Sequence, residues 1–473
     1  MRTADRTTLL ALLVAALLAC GTVASADDRL IAAARRDDAS GVRALLNAGV
    51  KADATQGDRA TALHWAAHLD NLAMAETLLA AGAKVNAAND LGVTSLWIAC
   101  LNGSEPMADR LLKAGADPNR ALPSGETPLM AASRTGAVPV VRLLLARGAD
   151  VNAREAVKSQ TALMWAVSEK HADVVKVLVE GGADVTARSA VRKRRVNTDA
   201  AGFGAGVVMD VEQGGFTALL FAAQQGDVAL AQVLLDRGAS PNDAAPDGTT
   251  ALVVASHSGH GALASLLLDR GANPNTAGAG YGALHMAIVR EDAALIRALL
   301  AKGADPNALV ARGTGMRRAS PDYALDSQAL GASPLWLAAR FAQPEVMRVL
   351  MAVDAGAIGS NKDGTPLVVA AAQGTRRVEP GFTRDLAEDE RRVSEAVELA
   401  LGLGVDINGS NKDGNTALHI AVQRRMKAVI RLLVSKGVAI DQKNAEGLAP
   451  IDLVGRDAAS ESVARLLREL GAK

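Results

Sequence analysis

Apolar positions along this chain fall into one recurring figure. A Leu is followed three residues later by Ala, a Leu-Leu pair comes later in the same segment, and Gly-Ala closes it. Leu129 with Ala132, then Leu144-Leu145-Ala146-Arg147-Gly148-Ala149, is one instance. Residues i and i+3 lie on one face of a helix, so Leu and Ala predict a short helix with a narrow apolar stripe. The Leu-Leu pair predicts a second helix facing the same core. The Gly after it supplies the left-handed residue that ends a helix. The pattern therefore predicts helix pairs, not long amphipathic helices or alternating strands.

The figure repeats at 33 residues: Thr61-Ala62-Leu63-His64, Thr94-Ser95-Leu96-Trp97 and Thr127-Pro128-Leu129-Met130. It returns at Thr161, Thr217, Thr250, Gly282, Ser333, Thr365 and Thr416, and Ala stands three residues after the Leu in all ten copies. Each element has a physical role. The Thr hydroxyl caps the first helix by accepting a backbone N–H. Pro128, Pro334 and Pro366 sit at the first helical position, where a missing N–H costs nothing. The Ala lets a neighbouring repeat come close, and Asp150-Val151-Asn152 or Asp305-Pro306-Asn307 turns the chain. These residues resemble the ankyrin repeat, whose core is T-P-L-H-x-A in a unit of 33 residues, over nearly all of 28–473. The resemblance implies an all-α solenoid, each repeat contributing a turn, two antiparallel helices and a projecting finger. It also implies protein binding through the concave face and fingers.

Such a stack needs caps at its ends. Asp28–Asn47 reads as the first, with Leu30, Ile31, Leu45 and Leu46 inward and Arg35, Arg36, Asp37 and Asp38 outward. Ala449-Pro450-Ile451 opens the last repeat, whose second helix carries Glu461, Arg465, Arg468 and Glu469 on a solvated face. With both caps the expectation is about 12 helix-turn-helix repeats. Three spacings break the period: Thr161 to Thr217 is 56 residues, Gly282 to Ser333 is 51 and Thr365 to Thr416 is 51. The first two insertions, near 188–214 and 308–331, lengthen finger loops on one edge. The third, near 375–393, falls between the two helices of a repeat, where Asp385 to Leu401 has few breakers and can prolong the outer helix.

Composition adds two constraints. Lys plus Arg is 51 and Asp plus Glu is 51, so no net field draws nucleic acid or an anionic membrane. Aromatic content is 2%, so the core is built from Ala, Leu and Val. Residues 1–26 read as an export signal: Arg2 and Arg6, an apolar run of 11 residues from Leu9 to Ala19, then Ala24-Ser25-Ala26. A second reading competes, because Leu17-Leu18-Ala19-Cys20 resembles a lipobox whose Cys20 would carry the lipid and the only membrane attachment. A buried first helix of the domain is the third, and it leaves the order of charged, apolar and small residues unexplained. The signal reading leaves 27–473 as one repeat domain in the periplasm or outer envelope, or secreted.

Candidate chemistry is sparse. His64, His285 and His419 occupy the His position of the motif, where a backbone hydrogen bond between repeats is expected. His257 and His260 form H-x-x-H without a third ligand, so no metal site is assigned. Cys100 stands beside Ala99 in place of a small core residue, with no base nearby in sequence. Gly202-Phe203-Gly204-Ala205-Gly206 follows no predicted strand and opens no helix, so it reads as a loop and not a dinucleotide fingerprint. Trp65, Trp97, Trp165 and Trp336 recur just after the motif Leu and read as packing.

The first insertion carries Arg188 and the run Arg192-Lys193-Arg194-Arg195 against Asp199, Asp210 and Glu212. The second carries Arg312, Arg317 and Arg318. Such runs are solvated loops or surfaces for an acidic partner, and insertions in repeat proteins gather on the binding face. The partner-facing residues expected are Arg192, Lys193, Arg194, Arg195, Arg317 and Arg318 on the fingers. On the inner helices between them they are Gln224, Gln225, His257, Ser258, Val289 and Arg290. The reading is a monomeric scaffold of the cell envelope or periplasm that binds a protein, without cofactor or catalytic residue. A secreted effector or inhibitor is the alternative, and an enzyme housed in the insertions ranks below both.

Overall fold

The computed structural model describes residues 26–198, 207–313, 325, 327–353, 355–356, 359–375, 385–455 and 457–473. Residues 1–25 of the expected leader, Cys20 among them, Gly202–Gly206, Arg317 and Arg318 lie outside them. The described residues form successive pairs of short antiparallel helices, with one two-stranded hairpin. The chain divides into two compact bodies, Met1–Ala156 and Val157–Lys473. The first holds repeats 1 to 4, from the helix pair Ala26–Arg35 and Ala39–Asn47 to Pro128–Thr135 and Val138–Ala146. The second holds repeats 5 to 12. Within each body inner helices pack on inner helices and outer on outer, mostly between adjacent repeats.

The motif residues do what their chemistry predicts. Thr94, Thr127, Thr161, Thr217, Thr250, Ser333 and Thr416 accept the backbone N–H three residues on and begin the inner helices. The ten motif Ala residues, Ala66 through Ala421, are all fully buried. A larger side chain there would hold two layers apart, because interiors are close-packed. Gly148 closes the outer helix of repeat 4 at φ 83, a conformation that costs other residues roughly 1–2 kcal/mol.

The Asp-x-Asn turns do more than reverse the chain. Asn119 Oδ1 accepts the Asp150 N–H at 2.7 Å while its amide donates to the Gly148 carbonyl at 3.0 Å. Asn242 and Asn275 bracket the next repeat's Gly in the same way. Finger tips are tied too: Asp90 N–H donates to the Asp58 carbonyl, Ala190 to Lys158 and Ala311 to Gly280. Polar turns thus become a ladder running along each stack.

At the ends, Leu30, Ile31 and Val42 are buried, Leu45 and Leu46 are only half-buried, and Asp38 caps a helix by accepting the Gly41 N–H. Glu461, Arg465, Arg468 and Glu469 are exposed on the final helix, Ala458–Glu469. The last repeat opens in a short 3-10 turn, Pro450–Leu453, not a full inner helix.

Each insertion takes a distinct form. The first is an antiparallel hairpin of β1 (Arg192–Thr198) and β2 (Val207–Gln213). The pattern of the repeat predicts only a longer finger loop here; the β-branched Val207, Val208 and Val211 favour strand instead. The second insertion's closing end turns inward: Leu325 and Ala329 are buried, and Arg340 reaches Gln328 Oε1 at 3.5 Å. The third leads into the outer helix Leu386–Gly402, 17 residues long and capped by Asp385.

Candidate functional site

The hairpin is set on a fixed base. Arg188 donates to the carbonyls of Gly215, at 3.0 Å, and Ala244, at 2.8 Å, and forms an ion pair with Asp243. Ser189 N–H donates to the Phe216 carbonyl, and Phe216 N–H donates to the Ser189 hydroxyl. Arg188 therefore buttresses the finger, while the run beyond it projects.

Strand register divides that run. Lys193 stands opposite Glu212 and Arg195 opposite Asp210, whereas Arg192 and Arg194 stand opposite Gln213 and Val211. Directly opposed residues share a face, so Lys193 shares one with Glu212. Arg192, Lys193 and Arg195 are exposed.

At the root of the finger, Phe216 meets Phe221 edge-on with ring centroids 5.6 Å apart. Phe221 belongs to the inner helix Ala218–Gln225 of repeat 6 and is half-buried. Its counterpart in repeat 7, Val254, is also half-buried, and Gln224 is exposed beside it. Then the inner face closes. Met286, Leu337 and Val369, the same position in repeats 8 to 10, are each 0% exposed.

That closure corrects one expected contact residue. Val289 is 1% exposed and belongs to the core, so no partner reaches it without local opening. Arg290 is committed inward as well, its Nε donating to the His257 carbonyl at 2.6 Å. His257 Nδ1 lies 3.2 Å from Met286 Sδ, and His260 Nε2 lies 3.3 Å from the Gln224 carbonyl. The two imidazoles engage different repeats. Gln225 and Ser258 are half-buried at the ends of their helices.

The three motif histidines act as bridges. The Nδ1 of His64 accepts the Thr61 N–H at 3.1 Å, and its Nε2 lies 2.9 Å from the Val93 carbonyl. His285 and His419 repeat this with Gly282 and Ala308, and with Thr416 and Leu448. An accepting Nδ1 requires the Nε2–H tautomer, which then donates to the next repeat. Burial pushes all three pKa values down from their ordinary 6.5. Trp336 occupies the same position in repeat 9 and donates to the Thr365 carbonyl at 3.0 Å. Burial raises the Cys100 thiol pKa, leaving it a core group. Among the described residues no three His, Cys, Asp or Glu side chains cluster as metal ligands.

Comparison with known proteins gives a family model of ankyrin repeats matching residues 30–122, 96–189, 219–310 and 387–473. A rice (Oryza sativa subsp. japonica) BTB/POZ domain and ankyrin repeat-containing protein, NPR2, is 38% identical over 68 residues, 14% of this chain and 10% of that protein. The ankyrin repeat protein FPV219 of fowlpox virus (strain NVSL) is 37% identical over 43 residues, 9% of this chain and 10% of its own length. The matches thus span about a tenth of either relative. The crystal structure of the human ASB11 ankyrin repeat domain superposes with TM-score 0.42 and 27% identity, covering 52% of this chain and 98% of that one.

Proposed function

Because the chain belongs to the ankyrin-repeat family, we propose that it is an exported protein-binding scaffold of the cell envelope or periplasm, with its partner seated on repeats 6 and 7. Ankyrin repeats generally mediate protein–protein interaction, and no enzymatic family is indicated. The observation that carries the reading is the change along the inner face of the second body. Phe221, Gln224 and Val254 are accessible, while Met286, Leu337 and Val369, the equivalents of Phe221 in the next three repeats, are buried. A half-buried aromatic beside polar side chains has the make-up of a binding hot spot. The neighbouring hairpin carries the exposed Arg192, Lys193 and Arg195, basic groups that steer an acidic protein surface into place. The Arg2–Ala26 segment supports export.

A photo-crosslinking residue at Gln224 or Arg192 should trap one and the same protein from native envelope. The same probe at Ala229, exposed on the outer helix Val228–Asp236, should not. Equal trapping from all three positions, or none from Gln224, would reject this surface.

A further inference from the structure

A repeat stack bends easily because each repeat touches only its neighbours. The helix Leu386–Gly402 of repeat 10 departs from that rule. Its counterpart in repeat 6, Val228–Asp236, has 9 residues, so the insertion adds two N-terminal turns to its 17. Those turns carry Glu388, Glu390, Arg391 and Arg392, and Glu395 follows directly, so that acids and bases lie three and four apart.

The added turns reach in both directions. Arg392 Nη1 lies 2.6 Å from Glu291 Oε1, in the inter-helix turn of repeat 8, so this bond passes over repeat 9. Arg348 of repeat 9 meets Glu395 at 3.0 Å and Glu345 at 2.6 Å. Forward, Glu390 Oε1 accepts the Ala428 N–H at 2.6 Å in the first turn of repeat 11's outer helix, and Glu398 meets Lys436 at 3.5 Å. The helix also packs on the inner helix Pro334–Arg340 of repeat 9. Glu388 orients the bridging arginine, accepting from Arg392 at 3.0 Å and from Arg391 at 2.8 Å. Those hydrogen bonds hold the Glu388 pKa down at about 2.

Isolated surface ion pairs contribute little, but planar guanidinium forks in a shared network lose less entropy per bond. This network is also partly shielded: the Arg392, Glu388 and Glu395 side chains are 22%, 29% and 28% exposed. We infer that the helix Leu386–Gly402 is an ionic strap that binds repeats 8 to 11 into one cooperative block, with the Arg392–Glu291 bond as its far anchor. Bending and fraying of the second body are then left to the repeats outside the strap. High salt loosens the block by screening the anchor.

Hydrogen exchange of the full chain read by mass spectrometry tests this. In the wild type at low salt, inner-helix amides of repeats 8, 9 and 11 should share one protection level, the mark of a single opening unit. Glu291→Gln or Arg392→Met should free repeat 8, lowering its protection on the order of tenfold, while repeat 11 keeps its own. Arg391→Met is the control, because Arg391 pairs only with Glu388 and Glu395 of its own helix among the bonds described. It should leave repeat 8 as in the wild type. Salt at 1 M, on the order of the range where screening lengths fall to a few ångströms, should reproduce the Glu291→Gln pattern in the wild type and add little in that variant. Unchanged protection of repeat 8 in Glu291→Gln, or equal loss with Arg391→Met, would overturn the strap.

Discussion

The indole N–H of Trp336 donates to the backbone carbonyl of Thr365 across 3.0 Å, which is the bridge that His64, His285 and His419 make elsewhere. One position in the repeat thus carries one bond with two chemistries. Trp97 occupies the same position in repeat 3, and its buried Nε1 has no hydrogen-bond partner among the described residues. Phe in place of either Trp removes similar volume, but only Trp336→Phe also removes a bond. Trp336→Phe should therefore cost about 1 kcal/mol more than Trp97→Phe in denaturant unfolding. Equal costs would mean that the bridge adds nothing.

Acid should weaken the motif bridges before it protonates most carboxylates. The folded state holds His64, His285 and His419 below their ordinary 6.5, so the unfolded chain binds more protons near that pH. Stability from these groups is fully present above the unfolded value and falls as pH drops through it toward the folded values. Melting temperature followed from pH 7 down to about 5 should decline, since the unfolded histidines charge near 6.5. Replacing all three with Gln should flatten that decline, and an unaltered slope in the triple variant would exclude them as its source.

Excising the projecting finger should leave the fold intact. Arg188, Ser189 and Phe216 hold the base, and shortening a surface loop changes closure entropy only slightly. A chain with 192–213 replaced by a short Gly-Ser turn should unfold within about 1 kcal/mol of wild type. Arg188→Ala should cost more than the excision, because it takes a donor from two carbonyls and leaves Asp243 without its guanidinium partner.

Gln224 and Val289 should separate binding from stability. Gln224→Ala should weaken partner binding and leave unfolding within about 0.5 kcal/mol, as exposed sites do. Val289→Ala should cost about 2 kcal/mol of stability through lost buried volume. Neutralising Arg192, Lys193, Arg194 and Arg195 together should slow association and flatten its salt dependence, measured by stopped flow at two ionic strengths. Association that stays the same at both would remove the finger from the partner site.

Mass spectrometry of the cellular protein should find Asp27 at the mature N-terminus, or else a lipidated Cys20. An intact Met1 would withdraw the proposed export and the envelope location together.

The repeat fold was legible in the residues because it is local. Thr, Leu, Ala and the closing Gly each act within one helix pair or on the adjacent pair, so ten copies of one short figure determine the layer and its stacking. The basic run was legible as a charge but not as a surface. That Lys193 stands opposite Glu212 and Arg195 opposite Asp210 follows from strand register, and register is set by pairing across a turn. Val289 read as an inner-face position like Gln224, yet it is sealed while Gln224 is open. A polar Gln against an apolar Val is the local signal that separates them, but how completely Val289 is covered is decided by how repeats and insertions come together. Glu291 and Arg392 stand 101 residues apart with no pattern joining them. Their bond exists only because two added turns carry a guanidinium past an intervening repeat, a distance that stacking geometry sets and local spacing does not encode.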